Sequence, residues 1–238
     1  MKKVLLIDSG SGGINILKEC IKICPHCDFL FFCDNKNLPY GEKSKQELLN
    51  ITIKNLESIS KFFDYEIVVF ACNTLTSTCI AECRERFKNI KFVGTEPAVA
   101  MALKRFEAKD ILVLGTKATI ENNKLLQNND LNLLSMSTLA SLIDENLYDL
   151  SVLRPILLES LKNTSAKAVV LGCTHYVAVK NILKTILPQN TEIFDSANGV
   201  ARRLRQFVND GDVSFKMQIM ASKEGVMRDK LLWYYFNS

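Results

Sequence analysis

Short apolar runs punctuate the chain at 4–7, 29–32, 67–70, 111–114 and 169–171, and mixed strand-like runs at 90–93, 131–136 and 191–194. Most are leucine-rich or β-branched with no polar alternation, the pattern of strands covered on both faces. Between them the apolar period changes. Ile14, Leu17 and Ile21 recur at helical spacing until Pro25, and Leu48, Leu49, Ile53, Leu56, Ile59 and Phe63 do the same further on. Helices are also predicted after Cys72, around 99–103, after the turn 115–119, and over 150–161 and 200–208. Strands alternating with helices predict an α/β fold with parallel sheets.

The plan restarts near residue 97. In each half an early strand runs into a turn of small residues, 8–13 and then 115–119, and a later strand ends in a cysteine with hydroxyl or amide neighbours. The chain therefore reads as two α/β halves, 1–96 and 97–205. The tail 206–238 is expected to return to the first half, with a helical end marked by Met227, Leu231 and Leu232.

Ligands of open parallel sheets bind beyond the carboxyl ends of the strands. That edge is where Ala71-Cys72-Asn73-Thr74 and Gly172-Cys173-Thr174-His175-Tyr176 fall. Three readings compete for the two cysteines. They are buried packing residues, metal ligands, or thiols that do acid/base or nucleophilic work. The metal reading is poor, because the chain has only two histidines and no second ligand pair beside either cysteine. The polar flanks speak against mere packing. A thiol with an ordinary pKa of about 8.5 needs help near neutral pH. His175 lies two residues from Cys173, and Asp8 ends a strand in the half that carries Cys72. Two such pairs across one pocket would invert a carbon acid without a cofactor, taking a proton from one face and returning one to the other. Acyl transfer or hydrolysis needs one nucleophile, not two.

Composition narrows the picture. The chain has 238 residues, is 47% hydrophobic and carries a net charge of +4, so it can bury a sizeable core and has no strongly basic character. Arg202, Arg203 and Arg205 read as a solvated helix face rather than a nucleic-acid patch. No apolar run approaches the roughly 18 residues of a membrane span, and the opening apolar stretch is cut short by Asp8. A cytoplasmic protein with no membrane or nucleic-acid partner is expected, its eight cysteines reduced. Cys24-Pro25-His26-Cys27 resembles a redox motif, but it follows a helix and precedes a strand, the inverse of the usual context. Cys20, Cys24, Cys27 and Cys33 lack a second Cys-x-x-Cys pair for zinc, and Cys79 and Cys83 share a helix face as packing. His26 is expected at the surface. Gly10-Ser11-Gly12-Gly13 fails the dinucleotide fingerprint, whose third glycine falls on Asn15. It suits close approach to a small anion.

Taken in order, Asp8-Ser9-Gly10-Ser11-Gly12-Gly13, Pro39-Tyr40-Gly41, Ala71-Cys72-Asn73-Thr74, Glu96-Pro97-Ala98, Gly115-Thr116 with Thr119, and Gly172-Cys173-Thr174-His175-Tyr176 resemble the glutamate racemase family, within the aspartate/glutamate racemase superfamily. The resemblance covers most of 1–205. It implies two pseudo-symmetric α/β domains with the active site between them, no pyridoxal phosphate, metal or nucleotide cofactor, and a homodimer. It implies that Cys72 acts on the D-enantiomer, assisted by Asp8, and Cys173 on the L-enantiomer, assisted by His175. The family's assisting glutamate falls on Asp144, one methylene shorter. Ser9, Pro39, Tyr40, Gly41, Asn73, Thr74, Thr116, Thr119 and Thr174 would hold the substrate. The implied activity is supply of D-glutamate for peptidoglycan. Racemisation of aspartate or another amino acid, or binding without turnover, are the other readings.

Overall fold

The computed structural model describes residues 1–211, 213, 214, 216–223 and 225–238. Among the described residues, nine strands form two all-parallel sheets. The first has β1 (Lys2–Asp8) at its centre, flanked by β2 (Cys27–Cys33) and β3 (Ile67–Phe70), with β4 (Lys91–Gly94) outside β3 and β9 (Lys216–Ala221) outside β2. The second places β5 (Ile111–Gly115) beside β7 (Ala168–Gly172), with β6 (Asn132–Ser135) and β8 (Glu192–Phe194) as edges.

Alternation along the central strands sorts their side chains into three cores. Leu5, Ile7, Leu30, Phe32, Val68 and Phe70 face one side of the first sheet and pack on α2 (Lys45–Ile59) and α3 (Asn73–Arg86). Ile111, Val113, Val170 and Phe194 face outward from the second sheet, over Val99 and Ala102 of α4 (Val99–Ala102). The opposite faces, with Val4, Leu6, Phe29 and Phe31 from one sheet and Leu112, Leu114, Val169 and Leu171 from the other, share a single core. That core is filled by α1 (Gly13–Ile23), α7 (Ser137–Glu145), α8 (Arg154–Leu161), α9 (Lys180–Ile186), α10 (Ala197–Arg205) and α11 (Met227–Asn237), and it joins the two sheets.

Several local expectations shift. The helix read over 150–161 opens as a 3-10 turn, Leu150–Leu153, and becomes α-helical only at Arg154. Proline in the first turn costs no hydrogen bond, so Pro155 sits comfortably there. His26 is half-buried rather than exposed, and its Nε2 is shielded without a partner among the described residues. Among the described residues, no helix is long and apolar enough to cross a membrane. Nor is any group of three or more His, Cys, Asp or Glu arranged to hold a metal ion.

Candidate active site

Parallel register brings the carboxyl ends of the central strands to one level. Ile7 pairs with Phe70 and Asp8 with Cys33, while Gly115 pairs with Gly172. The residues just beyond, Ser9, Cys72, Thr116 and Cys173, therefore close on a common cavity of about 20 Å3 together with Pro39, Tyr40, Gly41, Thr74 and His175. That is room for about one water molecule. Cys72 and Cys173, one from each sheet, are each only 7% exposed. Among the lining groups that sequence reasoning missed are Leu38, Glu42, Ser137 and Ala140.

Cys72 is the N-cap of α3. Burial and the Asp8 carboxylate push its thiol well above the usual value, against the pull of the Leu75 and Thr74 N–H groups. Cys72 thus rests as the neutral thiol. On the other side Cys173 Sγ lies 3.8 Å from His175 Nδ1. The ring continues to Asp144, whose Oδ2 is 3.3 Å from His175 Nε2, and both side chains are 2% exposed. Burial works against both charges, but their mutual attraction wins. The Asp144 carboxyl is held below its ordinary value and the His175 imidazole well above its own. The last turn of α7 delivers Asp144, and the Ser11 N–H donates to its Oδ1 at 3.0 Å.

The glycine-rich turn is shaped by this pair. A Cβ on Gly10 would lie 2.0 Å from Asp144 Oδ2 and 2.4 Å from His175 Nε2, and one on Gly12 would lie 2.4 Å from the His175 backbone nitrogen and 2.5 Å from Thr174 Oγ1. The glycines let the backbone of the first sheet's turn touch side chains delivered by the second.

Asp8 is fully buried. It accepts from the Ser9 N–H at 2.6 Å and from the Thr174 hydroxyl at 3.1 Å. Burial dominates over these bonds and over the attraction of His175, raising its pKa from 3.8 to about 6. An acid whose pKa is higher folded than unfolded costs stability as pH rises through that interval and keeps the cost above it. Here the cost approaches about 3 kcal/mol. Asp8→Asn is therefore expected to melt higher than the wild type at pH 8 and no higher at pH 4, while activity falls. Thermal unfolding at the two pH values checks this, and a lower melting point at pH 8 would refute it.

Thr74, Thr116 and Thr119 form a ring of hydroxyls, with contacts of 2.9, 3.3 and 3.0 Å. Each can turn its proton toward an anion without leaving a neighbour unpaired. Asn73 anchors through its Nδ2 to the Thr95 carbonyl at 3.3 Å and keeps a buried Oδ1 without a partner among the described residues. Tyr40 is held by a residue that sequence reasoning passed over. Asp34, fully buried, accepts from the Tyr40 hydroxyl at 2.7 Å, from Asn37 Nδ2 at 3.0 Å and from Asn55 Nδ2 at 2.8 Å. The only signal was its place just after a strand.

No family model matches the chain. Among curated proteins it is 33% identical to the glutamate racemase of Clostridium botulinum, over 84% of this chain and 81% of that protein. It is 32% identical to the glutamate racemase of Clostridium acetobutylicum, over 95% of this chain and 93% of that protein. Among solved structures, Escherichia coli glutamate racemase in complex with L-glutamate and the activator UDP-MurNAc-Ala superposes with a TM-score of 0.84 at 25% identity. That match covers 98% of this chain and 95% of that one.

Proposed function

The chain belongs to the glutamate racemase family, and from that premise we propose that it interconverts L- and D-glutamate by two-base proton transfer at Cα, with Cys72 and Cys173 as the bases. The observation that carries this reading is the meeting of two buried thiols from two sheets in one cavity, each beside its own proton partner. In the L-to-D direction Cys173, paired with His175, removes the α proton. Cys72, resting as the thiol, donates to the opposite face. In the reverse direction Cys72 must first ionise, and Asp8 is the neighbouring base. The hydroxyls of Ser9, Thr74, Thr116 and Thr119 and the Gly41 N–H present donors to two carboxylates, while the Pro39 carbonyl, the Asn73 Oδ1 and the oxygens of Tyr40 and Thr174, whose own protons go to Asp34 and Asp8, present acceptors to an ammonium group. Preorganised donors of this kind stabilise charge that builds as the α proton leaves.

The reaction asks for no electron sink beyond these groups, so the reading is cofactor-independent. A cavity of about 20 Å3 cannot hold an amino acid, so binding requires the two sheets' edges to part. D-glutamate made this way would serve peptidoglycan synthesis in the cytoplasm, by a homodimer. The test is circular dichroism of L-glutamate and, separately, D-glutamate with the purified protein, a reductant and no added cofactor. L-aspartate runs in parallel. Decay of both glutamate signals to zero, with solvent deuterium entering at Cα, supports the reading. Decay with aspartate alone replaces the substrate, and silence with both sinks the activity.

A further inference from the structure

The helix that carries Asp144 is held at its far end by the chain's C-terminal segment. Helix α7 is nine residues long and ends at Glu145. The last carbonyls of a helix have no partner within it. Those of Leu142 and Ile143 are taken by the N–H of Asn146. Those of Asp144 and Glu145 both accept from Lys230 Nζ, at 3.0 Å each. Among the described residues no other side chain donates to either. A cation at this end also meets the negative pole of the helix dipole.

Lys230 does not act alone. Its ammonium sits 5.9 Å from the Tyr148 ring, and Trp233, one turn along α11, meets Tyr148 edge-on at 5.0 Å. The same helix grips α1 through the Tyr234 hydroxyl, which exchanges hydrogen bonds with the Asn15 amide at 3.1 and 3.2 Å. Helix α11 thus binds the helix that follows the glycine-rich turn and the end of the helix that bears Asp144. The Asp144 residue is fixed from both sides. Its carboxylate is held inward by Ser11 and His175, and its carbonyl outward by Lys230.

We propose that Lys230 is a positioning residue for the Cys173 side of the reaction, clamping the last turn of α7 so that Asp144 keeps His175 against Cys173. The proposal rests on the racemase reading given above. Without the clamp the last turn of α7 gains freedom, the 3.3 Å contact to His175 loosens, and the Cys173 half-reaction slows while the Cys72 half-reaction is untouched.

Lys230→Met should lower kcat/KM about fivefold. A change confined to one base must show in isotope effects. With glutamate deuterated at Cα, the effect on kcat/KM should rise for the L-enantiomer, where Cys173 abstracts the proton, and fall for the D-enantiomer. Lys230→Arg, able to reach both carbonyls, should restore the wild-type values. General loosening of the fold would lower the melting temperature without splitting the two isotope effects. The wild type is measured first. If it fails to racemise glutamate, the racemase reading falls and takes this inference with it. If the wild type is active but Lys230→Met leaves both isotope effects unchanged, or shifts them together, the inference alone is overturned.

Discussion

Replacing either Cys72 or Cys173 with alanine is expected to lower kcat/KM for glutamate racemisation by about a thousandfold, within the range seen when a general acid or base is removed. The loss must be the same in both directions. The enantiomers have equal free energy in water, so the ratio of forward to reverse kcat/KM is fixed at unity whatever residue is changed. A mutation that cripples the base for one enantiomer removes the acid for the other. Serine should rescue little, because an alkoxide is inaccessible near neutral pH. The two variants should stay folded, since each thiol, though buried, lines the cavity, so losing one sulfur widens space that is already open instead of leaving a new void. Circular dichroism of each enantiomer measures the loss. If either alanine variant kept more than a tenth of wild-type activity, that sulfur would not be a reacting base and the two-base scheme would be abandoned.

The parts of this fold that were legible in the sequence are those that the chain specifies locally. Runs such as 67–70 and 169–171 have no polar side and suit strands covered on both faces, as in a parallel sheet. β9 was not legible as a strand. Lys216–Ala221 reads Lys-Met-Gln-Ile-Met-Ala, half exposed at a sheet edge, and becomes a strand only by pairing with β2 about 190 residues earlier. Helix α11 was foreshadowed by Met227, Leu231 and Leu232, but its packing on α1 and its Lys230 hydrogen bonds to α7 depend on tertiary approach. The thiols and His175 announce themselves by position beside strand ends. Asp34 does not, because its importance lies in Asn37, Tyr40 and Asn55 converging on it. Asp144 was marked only through family resemblance. Nothing in Ser141-Leu142-Ile143-Asp144 shows that its carboxylate turns inward, and the reason it can do so lies at Gly10, which leaves the space.

Asp144→Asn tests that buried pair. The substitution keeps the shape and can still accept from the Ser11 N–H, but it removes the charge that holds His175 protonated. Burial then prevails and the imidazole becomes neutral. The Nδ1–H that a protonated ring directs toward Cys173 sulfur is no longer assured, and activity should fall about a hundredfold. Stability gives an independent reading. A histidine with a raised pKa contributes fully below about 6.5 and loses that contribution as pH rises through its folded value. An aspartate with a lowered pKa contributes fully above about 4 and loses it as pH falls through its own. The pair therefore stabilises most between about pH 4 and 6.5. In that window Asp144→Asn should cost about 3 kcal/mol, the toll of leaving a buried charge without its partner or discharging it. Far above that window the cost should shrink, because His175 sheds its proton in the wild type as well. Thermal unfolding across a pH series rising from about 5.5 through the folded His175 titration, with racemisation followed at neutral pH, measures both halves. The isotope effects should split as in Lys230→Met, but further. A pH-independent difference in melting temperature, or activity within threefold of wild type, would show that Asp144 is packing beneath His175 and does not hold its proton.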